Sequence, residues 1–465
     1  MKADQLVIVL DCGATSVRAI AVNEFGELKA AHAIKNQTHK DPFLMNGLIW
    51  DVEEIWNKLK ICTQHILKQI NKEHVVGITV CTFGVDGTIF NKDGKMVYPV
   101  ISWACQRTAP IMENIDKYMA AEKLYAINGV NKNSFNTINK LIWFKENRPE
   151  LLEKMDKYLF ISSIFLHKLT GEFVTEASMA GTSMLTNCHT RQFSEDIFQA
   201  IGIENKFPKM VEAGEKIGGL IAQAAHDFGL PKNTPVFAAG HDTQFALFGA
   251  GAKENEVVLS SGTWEILMAR TQNVSTHLRS FQQGISNEFD AISGLYNTGI
   301  HWLGSGILEW LTNLLYSQEK TRLTSTEFYH KIIAEASKIK QSKIKFELDF
   351  LTTQGMMSGL GLHTKREEIY RACLEALAQK TAENLQSLET ALQFKAQSVI
   401  VVGGGSKNAL WNQLRAQAIG KPIKLIDKKE TTVLGAALFA MAGLGIYKSA
   451  EEARDQVKYH NEEIS

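Results

Sequence analysis

The chain has no excess of either charge. Its 50 basic and 50 acidic side chains cancel over 465 residues. Nucleic-acid binders usually carry a basic surplus, so a nucleic-acid or anionic-membrane partner is not expected. Cysteine is scarce and unpaired in sequence. The six residues Cys12, Cys62, Cys81, Cys105, Cys188 and Cys373 contain no CxxC pair and no zinc spacing. Such scatter suits reduced thiols in a cytosol rather than a disulfide framework. No run of about 18 apolar residues occurs, which argues against a membrane span. The apolar stretch Leu6 to Leu10 is too short for a signal-peptide core and meets Asp11 at once. A cytoplasmic location is therefore expected. Two nucleotide motifs are also missing. Gly94-Lys95 runs into Met96 and Gly420-Lys421 into Pro422, so there is no GxxxxGK[ST] loop, and no GxGxxG is found.

What remains is an ordinary globular balance, 45% hydrophobic and 22% charged, in a chain long enough for two or more lobes. Short apolar runs read as strands at Leu6 to Leu10, Val17 to Val22, Val75 to Cys81, Val236 to Ala239, Val257 to Leu259 and Ser398 to Val402. Helical spacing appears from Ile55 to Ile70 and over 366–389, and Asp51 with Glu54 resembles a capping box. Alternating strands and helices predict α/β layers. VLDCGATS near the start is echoed by VLSSGTWE at 258–265. Each is an apolar strand followed by a turn of small and hydroxylated residues, as in a chain of two similar lobes. The charged Lys253 to Glu256 stretch separates apolar runs. The lobes are expected to be 1–243 and 244–465.

Five turns carry chemistry. In Asp11-Cys12-Gly13-Ala14-Thr15-Ser16-Val17-Arg18, small residues let backbone N–H groups approach a phosphate. Thr15 and Ser16 add hydroxyl donors, and Asp11 suits Mg²⁺, which takes one or two carboxylates plus substrate phosphates. An ordinary hairpin would read the same way. Ser260-Ser261-Gly262-Thr263 repeats the logic. Gly403-Gly404-Gly405-Ser406-Lys407-Asn408 lies between a strand and a helix, where three glycines clear space for a flat ligand. Gly240-His241-Asp242-Thr243 places a carboxylate after a strand, either as the base that takes a hydroxyl proton or as a helix N-cap. Thr82-Phe83-Gly84-Val85-Asp86 has acceptors and an apolar face suited to a polyol, and reads equally as a plain turn.

Together these residues resemble the FGGY carbohydrate kinases over essentially the whole chain. Phe135 to Asn147 matches the family's first signature at every constrained position, and Gly359 to Leu377 is a looser match to the second. The resemblance implies a two-lobed actin-like ATPase (ribonuclease H-like) fold with ATP and Mg²⁺ in the interlobe cleft. It implies that Ala14 to Arg18, with Asp11 and Gly13, form the first phosphate loop, with Asp11 the metal ligand. Gly262 and Thr263 would belong to the second loop, and Gly403, Gly404, Gly405 and Asn408 to the adenosine pocket. Asp242 corresponds to the general base. His241, Thr243, Thr82, Phe83, Gly84, Asp86 and Asn297 would lie on the sugar. Segments such as TFGVDG, ISWACQRTA and AGHDTQFALFGAGA resemble the bacterial L-fuculokinase branch, which implies L-fuculose as the small-molecule partner. Cys105 and Gln106 stand where many relatives have an aspartate before the arginine, and Ser305 where rhamnulokinases tend to have glutamine. A sibling ketose kinase and a non-sugar actin-like ATPase stay open as alternatives. Oligomeric state is not legible.

Overall fold

The computed structural model describes residues 4–347 and 355–465. The chain forms two compact units. The first comprises Met1–Gly251, Gln272–Asn297 and Glu430–Lys458, and the second Ala252–Thr271, Thr298–Lys429 and Tyr459–Ser465. The division thus differs from the expected halves at 243/244. It falls after Gly251, and two later segments return to the first unit.

The sheet of the first unit is built from β1 (Leu6–Cys12), β2 (Ser16–Asn23), β3 (Leu28–Lys35), β4 (Val75–Thr82), β5 (Lys216–Gly219) and β6 (Pro235–His241), in the order β5-β6-β4-β1-β2-β3. Every residue of β1 is buried, which explains its unbroken apolar run. β1, β4 and β6 are parallel, and β2, β3 and β5 extend the sheet antiparallel. Register matters here. Cys12 pairs with Thr82, and Thr82 with His241. Three turns far apart in sequence therefore leave the carboxyl ends of adjacent parallel strands, where open α/β sheets bind ligands. α1 (Val52–Ile66) covers one face with Ile55, Leu59, Cys62 and Ile66, and Asp51 caps it by accepting from the Glu54 N–H at 3.0 Å. α2 (Thr137–Asn147), α3 (Ile161–Thr170) and α4 (Asp242–Gly249) complete the parts near the turns.

The second unit repeats the pattern. Its strands are β7 (Val257–Ser261), β8 (Trp264–Thr271), β9 (Tyr296–Leu303), β10 (Val399–Val402), β11 (Ile423–Ile426) and β12 (Asn461–Ile464), ordered β9-β8-β7-β10-β11-β12. β7 and β8 form a hairpin, and β10 lies parallel to β7 with Ser260 opposite Val402. The glycine turns after β7 and β10 are thus neighbours. α5 (Arg366–Leu392) and α6 (Ala409–Ile419) pack on each other. α7 (Thr431–Gly443) then returns to the first unit and lies along α4. The approach is close at two glycines. A Cβ on Gly249 would fall 1.9 Å from the Thr431 carbonyl oxygen, and one on Gly435 2.1 Å from that of Phe245.

Among the described residues no helix is long and apolar enough to cross a membrane. All six cysteines are free and buried.

Candidate active site

The β1–β2 turn is a tight hairpin, closed by the Gly13 N–H donating to the Ser16 carbonyl at 2.9 Å. The Thr15 carbonyl accepts from the Asn36 N–H at 2.8 Å, and the Gly13 carbonyl from Asn36 Nδ2 at 3.0 Å. Ala14 and Ser16 are half-buried and Thr15 is exposed. Asp11 and Arg18 face each other across the hairpin. Arg18 donates from both Nε and Nη2 to Asp11 Oδ2, and its Nη1 reaches Glu430. Arg18 is therefore held by two carboxylates. Asp11 is 4% exposed. Burial raises its pKa, the Arg18 charge opposes the rise, and the Asp242 charge adds to it. Its Oδ1 meets only the Cys81 thiol, at 3.8 Å, so one oxygen stays open to a hard cation. Among the described residues no group of three His, Cys, Asp or Glu is arranged to hold a metal ion alone. A single carboxylate completed by phosphates and water fits Mg²⁺.

The Thr82 to Asp86 turn is strained. Val85 has φ 63°, which a β-branched residue rarely adopts. Its carbonyl is held by Thr137 Oγ1 at 2.8 Å and Lys140 Nζ at 3.0 Å, both from α2. The Thr82 hydroxyl donates to the Phe83 carbonyl at 3.0 Å, and Phe83 packs on Trp50 with ring centroids 4.6 Å apart. Gly84 lies against His241, where a Cβ would stand 2.8 Å from the imidazole. Asp86 corrects the expectation placed on it. The residue is wholly buried. Oδ1 takes the Lys140 ammonium, and Oδ2 takes Trp50 Nε1 at 2.7 Å and the Trp103 N–H at 3.0 Å. Its carboxylate is consumed by the protein and braces the turn instead of meeting a sugar.

Asp242 is the first residue of α4, and His241 holds the N-cap position without a side-chain cap bond. Asp242 Oδ1 accepts from the Thr243 N–H at 2.7 Å and its hydroxyl at 3.4 Å. The N-cap alternative for Asp242 is thus not what forms. The carboxylate is 30% exposed, and burial pushes its pKa up to about 6. His241 Nε2 lies 3.5 Å from Asp242 Oδ1, and its Nδ1 lies 3.7 Å from Glu288 Oε2. Burial lowers the His241 pKa, opposed by Glu288. The His241 N–H donates to Ser178 Oγ at 3.0 Å, and Ser178 donates to Glu176 Oε2 at 2.5 Å. Asn297 is 1% exposed and donates from Nδ2 to Gln244 Oε1. Gln244 in turn donates to Glu288 Oε2 at 2.6 Å.

In the second unit, the Gly262 carbonyl accepts the Ser305 N–H at 3.1 Å and its hydroxyl, and the Thr263 carbonyl accepts the Gly304 N–H at 3.0 Å. The Thr263 side chain is exposed. The three glycines after β10 serve different ends. Gly403 has φ 87°, and Cβ atoms on Gly403 and Gly405 would stand 2.6 Å and 1.9 Å from Ser261 atoms, whereas one on Gly404 meets nothing within 4 Å. Only Gly404 faces open space. Asn408, expected in the adenosine pocket, also serves the fold locally. Its Oδ1 caps α6 by accepting from the Trp411 N–H at 3.1 Å, and its Nδ2 lies 3.3 Å from the Tyr370 hydroxyl.

This arrangement puts a carboxylate of raised pKa, a second carboxylate with one lightly engaged oxygen and a braced polar turn at adjacent strand ends of one unit, and paired glycine turns in the other. The model of the FGGY family of carbohydrate kinases, N-terminal domain, matches residues 6–249 and that of its C-terminal domain residues 257–444. The chain belongs to the FGGY family of carbohydrate kinases. It is 47% identical over 461 residues to L-fuculokinase of Escherichia coli (strain K12), covering 98% of this chain and 96% of the relative. L-Fuculokinase of Haemophilus influenzae is 44% identical, covering 97% and 98%. Rhamnulokinase of Enterococcus faecalis is 29% identical, covering 98% and 93%. Xylulose kinase from Rhodospirillum rubrum superposes with TM-score 0.89 at 19% identity, over 99% of this chain and 94% of that one. Glycerol kinase from Plasmodium falciparum gives 0.84 at 19%, over 98% and 93%. The fold is the two-domain α/β fold of these sugar kinases, the actin-like ATPase fold, and the chain is a carbohydrate kinase.

Several residues packed around these turns have little or no local sequence signal. Glu288 sits in an unremarkable strand, Ser286–Phe289. Gln244 follows the His-Asp-Thr triplet directly, and that adjacency is a usable clue. Lys140 lies in the first signature, whose most buried charge proves to serve Asp86. Glu176 is fully buried, and a Cβ on Gly240 would fall 1.8 Å from its Oε2, so this acid supports the strand end that carries His241.

Proposed function

We propose that this kinase transfers the γ-phosphoryl group of ATP to the C1 hydroxyl of L-fuculose, giving L-fuculose 1-phosphate and ADP. The observation that carries the chemistry is Asp242. It lies at the end of β6 with one oxygen committed to Thr243 and a pKa pushed up to about 6. A base with that pKa is ionised at neutral pH yet basic enough to share a hydroxyl proton. Asp242 would take the C1 proton as the oxygen attacks phosphorus in line. Phosphoryl transfer otherwise depends on positioning and charge neutralisation. The β1–β2 hairpin N–H groups with Thr15 and Ser16 would hold phosphate oxygens, as would Gly262 and Thr263, with Gly404 left open for the adenosine. Mg²⁺, held through Asp11, would neutralise charge on the transferred group. His241, Thr243, Gly84 and Asn297 would orient the sugar. The choice of L-fuculose is supported by relatives at 44–47% identity over nearly the full chain, whereas the rhamnulokinases stand at 24–29%. The reaction would take place in the cytoplasm, where ATP is available.

A coupled ADP-release assay with ATP–Mg²⁺ against L-fuculose, L-rhamnulose, D-ribulose, D-xylulose and glycerol tests this. The expected result is a clear preference for L-fuculose, with kcat/KM falling about tenfold per pH unit below about pH 6 as Asp242 is protonated. Preference for another ketose would overturn the sugar alone. Release of ADP without dependence on any sugar would overturn the kinase reading of the site.

A further inference from the structure

Glu288 ends a hydrogen-bond relay. Its Oε2 accepts from Gln244 Nε2 at 2.6 Å, in a setting where burial raises the Glu288 pKa and the His241 charge opposes the rise. That leaves Gln244 Oε1 as acceptor for Asn297 Nδ2. Asn297 Oδ1 is then an acceptor, and it is buried with no partner. At the other end, Glu288 Oε2 is taken by Gln244, while no hydrogen bond among the described residues reaches Oε1, which belongs to a partly exposed carboxylate. The side chain is 23% exposed, beside His241 and within the field of Asp242. A buried acceptor without a donor costs about 1–3 kcal/mol, so such groups are ordinarily satisfied by water or a ligand. A buried unpaired acceptor on Asn297 and a partly exposed one on Glu288, linked through Gln244, suit a ligand that brings two donors.

We propose that Glu288 is a specificity-determining residue of this kinase. Its Oε1 accepts one hydroxyl of the ketose, and through Gln244 it orients Asn297 so that Oδ1 accepts a second. This rests on the kinase reading above and deepens it. The site then selects ketoses in which two hydroxyls point as donors towards Glu288 and Asn297. A ketose with either hydroxyl removed or inverted leaves an acceptor of the pocket unpaired, a buried one in the case of Asn297, and polar pockets discriminate strongly in this way.

The test is a kinetic cycle on the full chain. Wild type, Glu288→Gln and Glu288→Ala are assayed with the preferred ketose and its mono-deoxy analogues. The expected result is a kcat/KM loss of about 10- to 100-fold in both variants with the parent ketose, carried mainly by KM. KM for ATP should move less than threefold. With one deoxy ketose the loss should shrink to near unity, since the contacted hydroxyl is already gone. In Asn297→Ala the collapse should occur with a different deoxy ketose. A loss below threefold in both Glu288 variants, or an equal loss with every analogue, overturns the proposal while leaving the kinase reading intact. A wild type that phosphorylates no ketose overturns both. Should either variant fold poorly, the wild type alone decides, because discrimination against every deoxy ketose by less than threefold refutes paired acceptors.

Discussion

Replacing Asp242 by asparagine should abolish turnover and strengthen the fold. Burial lifts the Asp242 pKa from 3.8 to about 6, so the folded protein disfavours the charged form. At about 1.36 kcal/mol per unit, that rise is worth about 3 kcal/mol. The side chain is 30% exposed, and water screens part of the penalty, leaving about 1–2 kcal/mol. The sign follows from linkage. Below pH 3.8 the group is protonated in both folded and unfolded chains and there is no penalty. As pH rises the unfolded chain ionises first, so wild type loses stability until pH passes about 6, and the penalty is complete above that. Asparagine stays neutral and still accepts the Thr243 N–H. Urea titrations of both proteins should therefore show the variant more stable by about 1–2 kcal/mol at pH 8, with roughly half that gap at pH 5. Turnover should fall by about 10²- to 10⁴-fold, the usual contribution of a general base. A variant no more stable at pH 8, or a gap independent of pH, would refute the burial argument. Retained turnover would refute the base assignment.

Lys140→Met should cost about 3–5 kcal/mol, because it strands the buried Asp86 carboxylate and takes a donor from the Val85 carbonyl. Adding Asp86→Asn should recover part of that loss, and a double variant that loses the full sum of the two single changes would show that the pair is not coupled. Gly405→Ala should be poorly tolerated, since its methyl group would meet Ser261 Oγ at 1.9 Å, whereas Gly404→Ala should fold normally and raise KM for ATP. Thermal midpoints and ATP kinetics separate the two, and the reverse pattern would mean that Gly404 is not the position left open for the nucleotide.

Turns after strands were legible because glycine and hydroxyl residues interrupt apolar runs there, and parallel pairing of β1, β4 and β6 then brings those turns together. Partners were not legible. A carboxylate after a strand reads the same whether it faces a ligand or a lysine, and Asp86 finds Lys140 only once α2 packs beneath the turn. The run of three glycines looked like one solution, yet Gly403 and Gly405 accommodate Ser261 and Gly404 alone is left open. Asn408 reads in the sequence only as a ligand contact, and the cap it provides to α6 emerges from the path of that helix. Glu288 has no motif around it, and its significance depends on Gln244 and Asn297 meeting it in space. The discontinuous first unit was hidden for a similar reason, as nothing in the composition of residues 430–458 marks them as returning.

That return bears on how the enzyme is made. α4, which carries Asp242, rests on α7, and the hairpin that carries Asp11 is tied through Arg18 to Glu430. Both acidic groups of the site are thus buttressed by a segment near the end of the chain. Folding on the ribosome proceeds from the N-terminus, so most of the first unit can be synthesised and even collapsed while neither buttress exists. A chain lacking residues 430–443 would hold the Thr82 to Asp86 turn but neither the Arg18 clasp nor the floor beneath Asp242, so both acidic groups await the return of α7 to be fixed in place.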